Sequence, residues 1–368
     1  AMRLRGFNIA RQDNGDVLLN ALIIFDVDAL DPASCAEGIA RGEAELPMII
    51  DYMRAHCEGF EKATLVNTAE QLYVRETRHM ECEKMLTIDD VLENRAQKDA
   101  ICVTNYPVDV QATKTQRFGT VVGFPDQYEI SFGSLVPKKV DGLMIVGRSA
   151  GFTSLAAGSA RIVPTGMACG QAAGVAAKLC VDKDMTPREL YGNEKGIKKM
   201  QKTLEKQGAL LAHQETEEPV MSHWAYEGLK VIRSMGYADG GYDNNYRLDD
   251  EVTGPRFCNL VNLAIKKSGL SLEERVTVSK EPDNAEMLLA LSAKVAGLEG
   301  VAAPTDFEGA TAFFEERKVL DQTLSKKFAD GQATADARSC YMLAARLYEH
   351  LLTQPNAIKY VAINDLSK

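Results

Sequence analysis

Residues 142–177 read GLMIVGRSAGFTSLAAGSARIVPTGMACGQAAGVAA, and they are the most informative stretch of this chain. The first five residues, 142–146, are apolar without interruption, as expected for a buried strand. A loop rich in Gly, Ala and Ser follows over residues 147–162. Pro164 then opens a helix, because its fixed φ suits the first helical turn and its missing N–H is not needed there. The stretch therefore predicts a strand, a loop and a helix in that order.

The start of this helix, at Pro164, Thr165 and Gly166, is suited to a ligand. A helix N-terminus carries unpaired N–H groups and about half a positive charge, so it stabilises an anion or an electron-rich carbonyl. Glycine in the approach lets a flat ligand lie against the backbone. From these residues alone, a buried structural turn and a ligand site are equally compatible.

The same helix carries a glycine every four residues. Gly166, Gly170 and Gly174 therefore lie on one helical face, which another backbone can approach closely. A plain packing helix is the alternative. Polar residues interrupt the apolar run at Arg161, Gln171 and Lys178, so the membrane interpretation of the GxxxG spacing does not apply.

Composition excludes several classes of function. The 368 residues carry a formal net charge of −10, whereas binding to nucleic acid or to an anionic membrane surface calls for a basic face. No stretch approaches 18 consecutive apolar residues, so we expect no membrane span. The chain contains no GxSxG nucleophile motif. His79 and Cys82 have metal-like spacing but lack a second pair, so no metal site is expected. The eight cysteines form no CxxC pair and are expected to be buried thiols.

The first part of the chain alternates β-like and helical patterns. An apolar, branched run over residues 17–27 predicts a strand, and Asp31 and Pro32 begin an amphipathic helix that extends to about His56. Shorter β-like runs follow at residues 63–66, 70–75, 100–104 and 118–122. Thr186-Pro187-Arg188-Glu189 is a capping box that begins a polar helix ending near Gly208. The charged run at residues 213–222 contains Pro219, and we place a domain boundary there.

The resemblance to a known family rests on many short motifs in a fixed order. Residues 142–177 resemble the C-terminal signature of FAD-dependent oxidoreductases of the glutathione-reductase-like class. Upstream and downstream matches keep the order of that family: Asn20-Ala21-Leu22, Arg75-Glu76-Thr77-Arg78, Asp89-Asp90-Val91, Asp99-Ala100-Ile101, Tyr106-Pro107-Val108-Asp109, Ser134-Leu135-Val136-Pro137 and Leu204-x-x-Gln207-Gly208. The similarity covers about residues 15–212.

The resemblance implies where a flavin would lie. The ring would contact the turn Gly147, Arg148 and Ser149 and the loop that contains Ser154 and Ala157. The helix start at Pro164, Thr165 and Gly166 would face the pyrimidine end of the ring, where the helix dipole stabilises negative charge on the reduced flavin. Arg148 and Arg161 are further candidates for contact with the ring or the substrate.

One part of such a flavoprotein is missing from the sequence. These proteins hold the FAD pyrophosphate with a strand, a GxGxxG turn and a helix, and this chain contains no GxGxxG. The sequence therefore gives no basis for tight FAD binding by this chain alone. A truncated reading frame, a separate upstream subunit with the FAD-binding portion, and a degenerate homologue are all compatible with this pattern.

A second group of residues could act on the substrate. On an alternating strand, Arg75 would share a face with Thr77, and Arg78 would lie on the opposite face. Two arginines near a flavin can clamp a carboxylate or a polyol, and an internal ion pair is the alternative. The resemblance also makes Tyr106, Asp109 and Tyr128 candidates for proton transfer, with packing as the alternative role of each.

The C-terminal part is helical and weakly repeated, over residues 223–267 and 307–351. The run HWAYEGLKVIRSMGYADG that begins at His223 resembles an S-layer homology module, a class that binds cell-wall polysaccharide in bacteria. Those modules normally continue with TRAE, whereas this chain has Thr253-Gly254-Pro255-Arg256 and, in the second copy, Thr334-Ala335-Asp336. Polysaccharide binding is therefore one reading of this region, and a helical domain for packing or assembly is the other.

The sequence as a whole predicts an α+β protein. Residues 1–212 are expected to form a substrate-binding β-sheet domain with the C-terminal remnant of an FAD-binding α/β domain, and residues 213–368 an all-helical domain. The predicted function is hydride transfer between a small-molecule substrate and FAD. A non-catalytic surface or interaction protein with a decayed flavin site is the alternative. Unpaired cysteines and no signal peptide favour the cytoplasm, whereas S-layer-like modules favour the cell surface.

Overall fold

A computed structural model describes residues 2–114, 118–216, 218–238, 240–270 and 273–358. Helices and small antiparallel sheets both occur, so the predicted α+β class is confirmed. The chain forms two compact units. The first unit comprises Ala1–Arg78 and Gln111–Gly119, and the second comprises His79–Val110 and Thr120–Lys368.

The first unit is built from one hairpin and one long helix. Strand β1 (Met2–Arg11) pairs antiparallel with β2 (Val17–Ile24), and helix α1 covers Pro32–His56. The Asp31 side chain accepts a hydrogen bond from the Ala33 backbone, so the predicted start of α1 is confirmed. The predicted strand at residues 17–27 is confirmed in its first eight residues, whereas β1 has no counterpart among our predictions.

Two predicted strands of the first unit are wrong. Residues 63–66 and 70–75 belong to no ladder and form irregular chain. Because the region around Arg75 is not a strand, the alternation argument for opposite faces of Arg75 and Arg78 fails. β-like composition alone does not make a strand, since a ladder also needs a partner at the right distance.

Two small ladders begin the second unit. Strand β3 (Ala100–Thr104) pairs antiparallel with β6 (Tyr128–Ser131), and β4 (Asp109–Val110) pairs with β5 (Thr120–Val121). The predicted strand at residues 100–104 is confirmed, and the run at 118–122 shortens to β5. The helix α2, Ile88–Leu92, precedes β3 and starts with a capping box between Thr87 and Asp90.

Four helices follow in the second unit: α3 (Ser154–Ala160), α4 (Val163–Lys183), α5 (Pro187–Tyr191) and α6 (Glu194–Lys206). The predicted capping box at Thr186 is confirmed, but the single polar helix expected after it is two, because Asn193 caps a new start. The predicted strand at residues 142–146 is wrong. That segment is extended and outside any ladder, and the Ile145 N–H donates to the Leu135 carbonyl at 2.9 Å.

The rest of the second unit is helical: α7 (Tyr226–Ser234), α8 (Gly254–Lys267), α9 (Asn284–Glu299), α10 (Phe307–Glu316), α11 (Gln322–Lys327) and α12 (Ala337–Leu351). Its buried core is a separate cluster from the core formed between residues 86 and 204. The domain boundary near residue 213 stays a prediction. Here we call residues 225–351 the helical region.

Gly254, at the start of α8, has no space for a side chain. A Cβ at this position would lie 1.8 Å from the Ser279 carbonyl oxygen. The Gly254 N–H also donates to the Lys280 carbonyl at 2.9 Å. The chain that precedes α9 therefore occupies the space that a side chain at position 254 would need.

The cysteines are free thiols. The expectation of buried thiols holds for five of them, whereas Cys35, Cys57 and Cys258 are half-buried. In the part of the chain that the structure describes, no helix is both long and apolar enough to cross a membrane.

Candidate functional site

The turn Gly147–Ser149 is the first element of the site. Gly147 has φ of +75°, in the region that glycine adopts without a steric cost. Neighbouring backbone fixes the turn and the chain after it: Met80 N–H donates to the Ser149 carbonyl at 2.9 Å, and Gly151 N–H donates to the Ser134 carbonyl at 2.7 Å. Arg148 and Ser149 themselves are exposed.

The start of α4 is the second element, and it faces the turn. A Cβ on Gly166 would lie 4.0 Å from the Gly147 Cα, so the two backbones are near contact. Ile162 is the N-cap residue, and its apolar side chain forms no capping hydrogen bond. Val163 is 68% exposed and Pro164 is exposed as well. The α4 N-terminus is thus left without a side-chain cap in an accessible position, as an anion-stabilising pole requires.

Thr165 fixes the N-terminus of α4, which we call the α4 pole, to the neighbouring strand. Its side chain is 2% exposed, and its hydroxyl is hydrogen-bonded to the hydroxyl of Thr104 on β3 at 2.8 Å. One turn further along α4, the thiol of Cys169 is hydrogen-bonded to the thiol of Cys102, also on β3. That hydrogen bond and burial raise the pKa of Cys102. Thr104 was not among the predicted residues, because its pairing spans 61 positions of sequence.

The loop predicted over residues 147–162 is wrong in its second half. Ser154 and Ala157 lie in helix α3, with Ser154 half-buried and Ala157 buried. Alanine and serine suit a short helix packed tightly between neighbours, since small side chains lose little rotamer freedom there. The Ala157 side chain lies in the core, and contact of Ser154 with a flavin stays a prediction.

Arg161 and Asp109 are brought together. The Arg161 guanidinium lies 3.2 Å from the Asp109 carbonyl oxygen and 3.6 Å from its carboxylate. Arg161 is the C-cap residue of α3 and lies two positions before the start of α4. Its side chain is 9% exposed. The pair therefore ties β4 to the pole of α4.

Tyr128 and Tyr106 are joined through Ser159. The Ser159 hydroxyl donates to the Tyr106 carbonyl at 2.6 Å, so it accepts from the Tyr128 hydroxyl at 2.7 Å. Tyr128 is fully buried, and burial raises its pKa well above the usual range for a phenol. Its geometry favours a packing role, whereas the half-exposed Tyr106 ring remains accessible to a ligand. Proton transfer by either residue stays a prediction.

Arg75 and Arg78 belong to the first unit, whereas every other candidate residue belongs to the second. The Arg75 guanidinium lies over the Tyr73 ring, 5.0 Å from its centroid. The substrate-clamping roles of both arginines stay predictions.

A cavity of about 200 Å³ lies elsewhere, at the start of α2. The buried Asp90 carboxylate in its lining accepts from Thr87 N–H at 2.8 Å and from Lys84 at 3.2 Å. The other charged lining residues, Glu83, Arg95 and Lys138, are in ion pairs with Arg188, Glu93 and Glu81. These contacts build a helix cap and leave no unpaired charge directed into the cavity. Within the described ranges, no group of three or more His, Cys, Asp and Glu could hold a metal ion.

The comparison with family models bears on the part of the chain that contains this site. Residues 2–204 match the family described as FAD dependent oxidoreductase. No curated protein and no solved structure matches the chain. The matched residues include the turn at Gly147, the α4 pole, and all the residues predicted to act on substrate or cofactor. Because this match extends over more than half of the sequence, the chain belongs to the family of FAD-dependent oxidoreductases.

Proposed function

We propose that residues 2–204 supply the substrate-binding part and the last flavin-contacting segment of a glutathione-reductase-like flavoprotein. The observation that carries this proposal is the α4 N-terminus, which has no side-chain cap and faces the Gly147–Ser149 turn. When bound, FAD would supply the hydride acceptor or donor for a small-molecule substrate. The pole suits the ring end of FAD, but the sequence holds no GxGxxG for the pyrophosphate.

The residues at the pole would act electrostatically. Unpaired N–H groups and the helix dipole stabilise negative charge on the pyrimidine end of the ring, and they need no reorganisation when that charge develops. The hydroxyl pair Thr104 and Thr165 fixes the first turn of α4 to β3 at 2.8 Å. The pair Arg161 and Asp109 keeps the chain between α3 and α4 in place.

Other residues would meet the substrate. Arg148 is exposed beside the turn and can approach an anionic substrate or the ring. Tyr106 offers an accessible phenol for proton transfer. Arg75 and Arg78 would clamp a carboxylate or a polyol by bidentate hydrogen bonds. The substrate class remains a small molecule with such a group.

An FAD-binding portion, on another polypeptide segment or on a separate subunit, would complete the cofactor site. Two features of the second unit support it. The apolar segment 142–146 is extended but lies in no ladder. Beside it, α4 exposes Val163, Met167 and Val181 by 68%, 71% and 81%. An unpaired apolar segment and a helix with such exposed side chains are typical of an α/β layer that needs further strands to cover it.

The helical region is proposed to be an S-layer homology-like domain with a packing role. Gly254 has no space for the arginine of the TRAE pattern, since the Ser279 carbonyl occupies it. Binding of the purified protein to bacterial cell-wall polysaccharide tests the alternative. Retention on insoluble cell wall would make this region a wall anchor, and the packing proposal would then be wrong.

Flavin titration tests the main proposal. Lumiflavin, which is the ring system without the ADP half, isolates the contribution of the pole. We expect the protein to quench lumiflavin fluorescence, with an affinity for FAD close to that for lumiflavin because the pyrophosphate has no cradle here. Addition of the FAD-binding portion should raise the affinity for FAD but not for lumiflavin. The proposal would be overturned if the protein changed neither the absorbance nor the fluorescence of lumiflavin and of FAD.

A further inference from the structure

The loop after α7 holds a segment of the chain that leads to the site. Asn244 binds Phe124 twice, because its Oδ1 accepts from the Phe124 N–H at 2.7 Å and its Nδ2 donates to the Phe124 carbonyl at 2.9 Å. The Gly240 N–H donates to the Val122 carbonyl at 3.0 Å. The Asn244 side chain thus satisfies both backbone polar groups of Phe124, as a neighbouring strand would do.

The contact between the loop and this segment is tight. A Cβ on Gly123 would lie 2.8 Å from the Tyr246 hydroxyl and 3.0 Å from Asn244 Oδ1. Asn244 itself has φ of +52°, a left-handed conformation that asparagine adopts more readily than most residues. The contact therefore depends on a glycine that leaves space for the loop and on an asparagine that adopts a left-handed backbone.

The held segment is bonded directly to β4. The Val108 N–H donates to the Gly123 carbonyl at 2.8 Å, and the Val122 N–H donates to the Val108 carbonyl at 3.0 Å. The next residue, Asp109, binds Arg161 through its carbonyl and its carboxylate. Three successive contacts therefore connect Asn244 to the residues just before the α4 pole.

The helix before the loop is anchored at a second place. The buried Arg233 of α7 binds the Asp89 carboxylate at 2.6 Å, and the Tyr226 hydroxyl donates to the Glu93 carboxylate at 2.8 Å. Both acceptors lie on or next to α2. Since α7 is fixed to α2 in this way, the loop that follows it has a defined position from which to hold Phe124.

We propose that Asn244 is a positioning residue of the flavin site. It fixes Val122–Phe124, which fixes Asp109, and Asp109 in turn orients Arg161 at the entrance to the α4 pole. This inference rests on the proposed flavin function. It assigns to the helical region a role in the chemistry of residues 2–204 that the family match does not include.

The substitution Asn244→Asp tests the proposal with little change of shape. It removes the donor to the Phe124 carbonyl and places a carboxylate about as close to Glu218 as the present amide nitrogen, which lies 3.2 Å from both Glu218 oxygens. Asp243→Asn is the matched control, because Asp243 is exposed in the same turn. Lumiflavin affinity and hydrogen exchange of the Val108 and Val122 amides are measured on the full chain.

We expect Asn244→Asp to weaken lumiflavin binding about fivefold or more, in the range of typical coupling between sites, and to accelerate exchange at both amides. Asp243→Asn should leave both measurements at the wild-type value. Equal lumiflavin affinity in wild type and Asn244→Asp would overturn the proposal, even if the thermal midpoint fell. Failure of the wild type itself to bind lumiflavin would instead refute the proposed flavin function.

Discussion

The helix starts of the second unit differ in whether a side chain caps them. At the start of α12, the Asp336 side chain accepts from Ser339 N–H at 2.9 Å, and α9 has the same arrangement between Asp283 and Glu286 at 2.8 Å. At the start of α4, Ile162 offers no acceptor. Side chains therefore cap the first turns of α9 and α12, whereas no side chain caps the first turn of α4.

The two regions also differ in their apolar surfaces. Five apolar residues of α9 are buried in the core, and α12 is buried along most of its length. In contrast, α4 exposes large apolar side chains, and its Gly170 and Gly174 have no neighbour within 4 Å of a built Cβ, apart from the backbone of the helix itself. The proposed flavin site needs an accessible helix start of this kind, and the proposed FAD-binding portion needs an uncovered apolar face.

The largest expected effect is on the stability of the helical region. Gly254→Ala should destabilise the protein by about 3 kcal/mol, because the new methyl group would meet the Ser279 carbonyl and force the backbone apart. The free energy of unfolding from urea denaturation measures this. A change below about 0.5 kcal/mol would show that the chain at Gly254 and the chain at Ser279 separate easily.

The next effect comes from capping the accessible pole. Ile162→Asp supplies an acceptor and a negative charge, which stabilises α4 by about 1 kcal/mol and offsets the lost apolar contact of Ile162. It should weaken lumiflavin binding about tenfold, or 1.4 kcal/mol. Ile162→Val is the control and should bind lumiflavin as the wild type does. Undiminished binding by Ile162→Asp would place the flavin away from this pole.

A smaller effect is expected on the uncovered face. Gly174→Ala should raise the free energy of unfolding by about 0.5–1 kcal/mol, because alanine restricts the unfolded chain and meets no neighbour beyond its own helix. Thermal or urea unfolding measures the gain. A loss of stability would mean that another part of the molecule approaches Gly174, so that this face of α4 is not uncovered.

The smallest effect concerns acid pH and the helical region. Burial pushes the pKa of Glu299 upward, but hydrogen bonds from Arg317 and His350 outweigh it and hold that pKa below 4.5. The stabilisation is therefore complete above the unfolded pKa and is lost as pH falls through the lower folded value. Glu299→Gln should flatten the dependence of unfolding free energy on pH below about 4.5. An unchanged slope would assign the acid sensitivity to other carboxylates.

Local signals of the sequence predicted the helices well. Asp31 and Pro32 located the start of α1, and Pro164 located the first turn of α4, because caps and first-turn prolines act within a few residues. The strand expected at residues 142–146 has a suitable composition but no ladder in the described structure. Pairing depends on distant chain, which composition does not encode.

The site itself was only partly predictable. The turn at Gly147 and the helix start at Thr165 followed from glycine and proline positions and from the family resemblance. The pairings Thr104 with Thr165 and Arg161 with Asp109 join residues more than 50 positions apart, and no local pattern indicates them. The role proposed for Asn244 required the distances of its two hydrogen bonds.

The bond between Phe124 and Asn244 has a consequence for biosynthesis. The two residues are 120 positions apart, and a ribosome adding about 5–20 residues per second takes roughly 6–24 s to cover that interval. During this time the edge at Phe124 has left the exit tunnel without its final partner. Nascent chains halted before the helical region should therefore be the form most readily captured by chaperones.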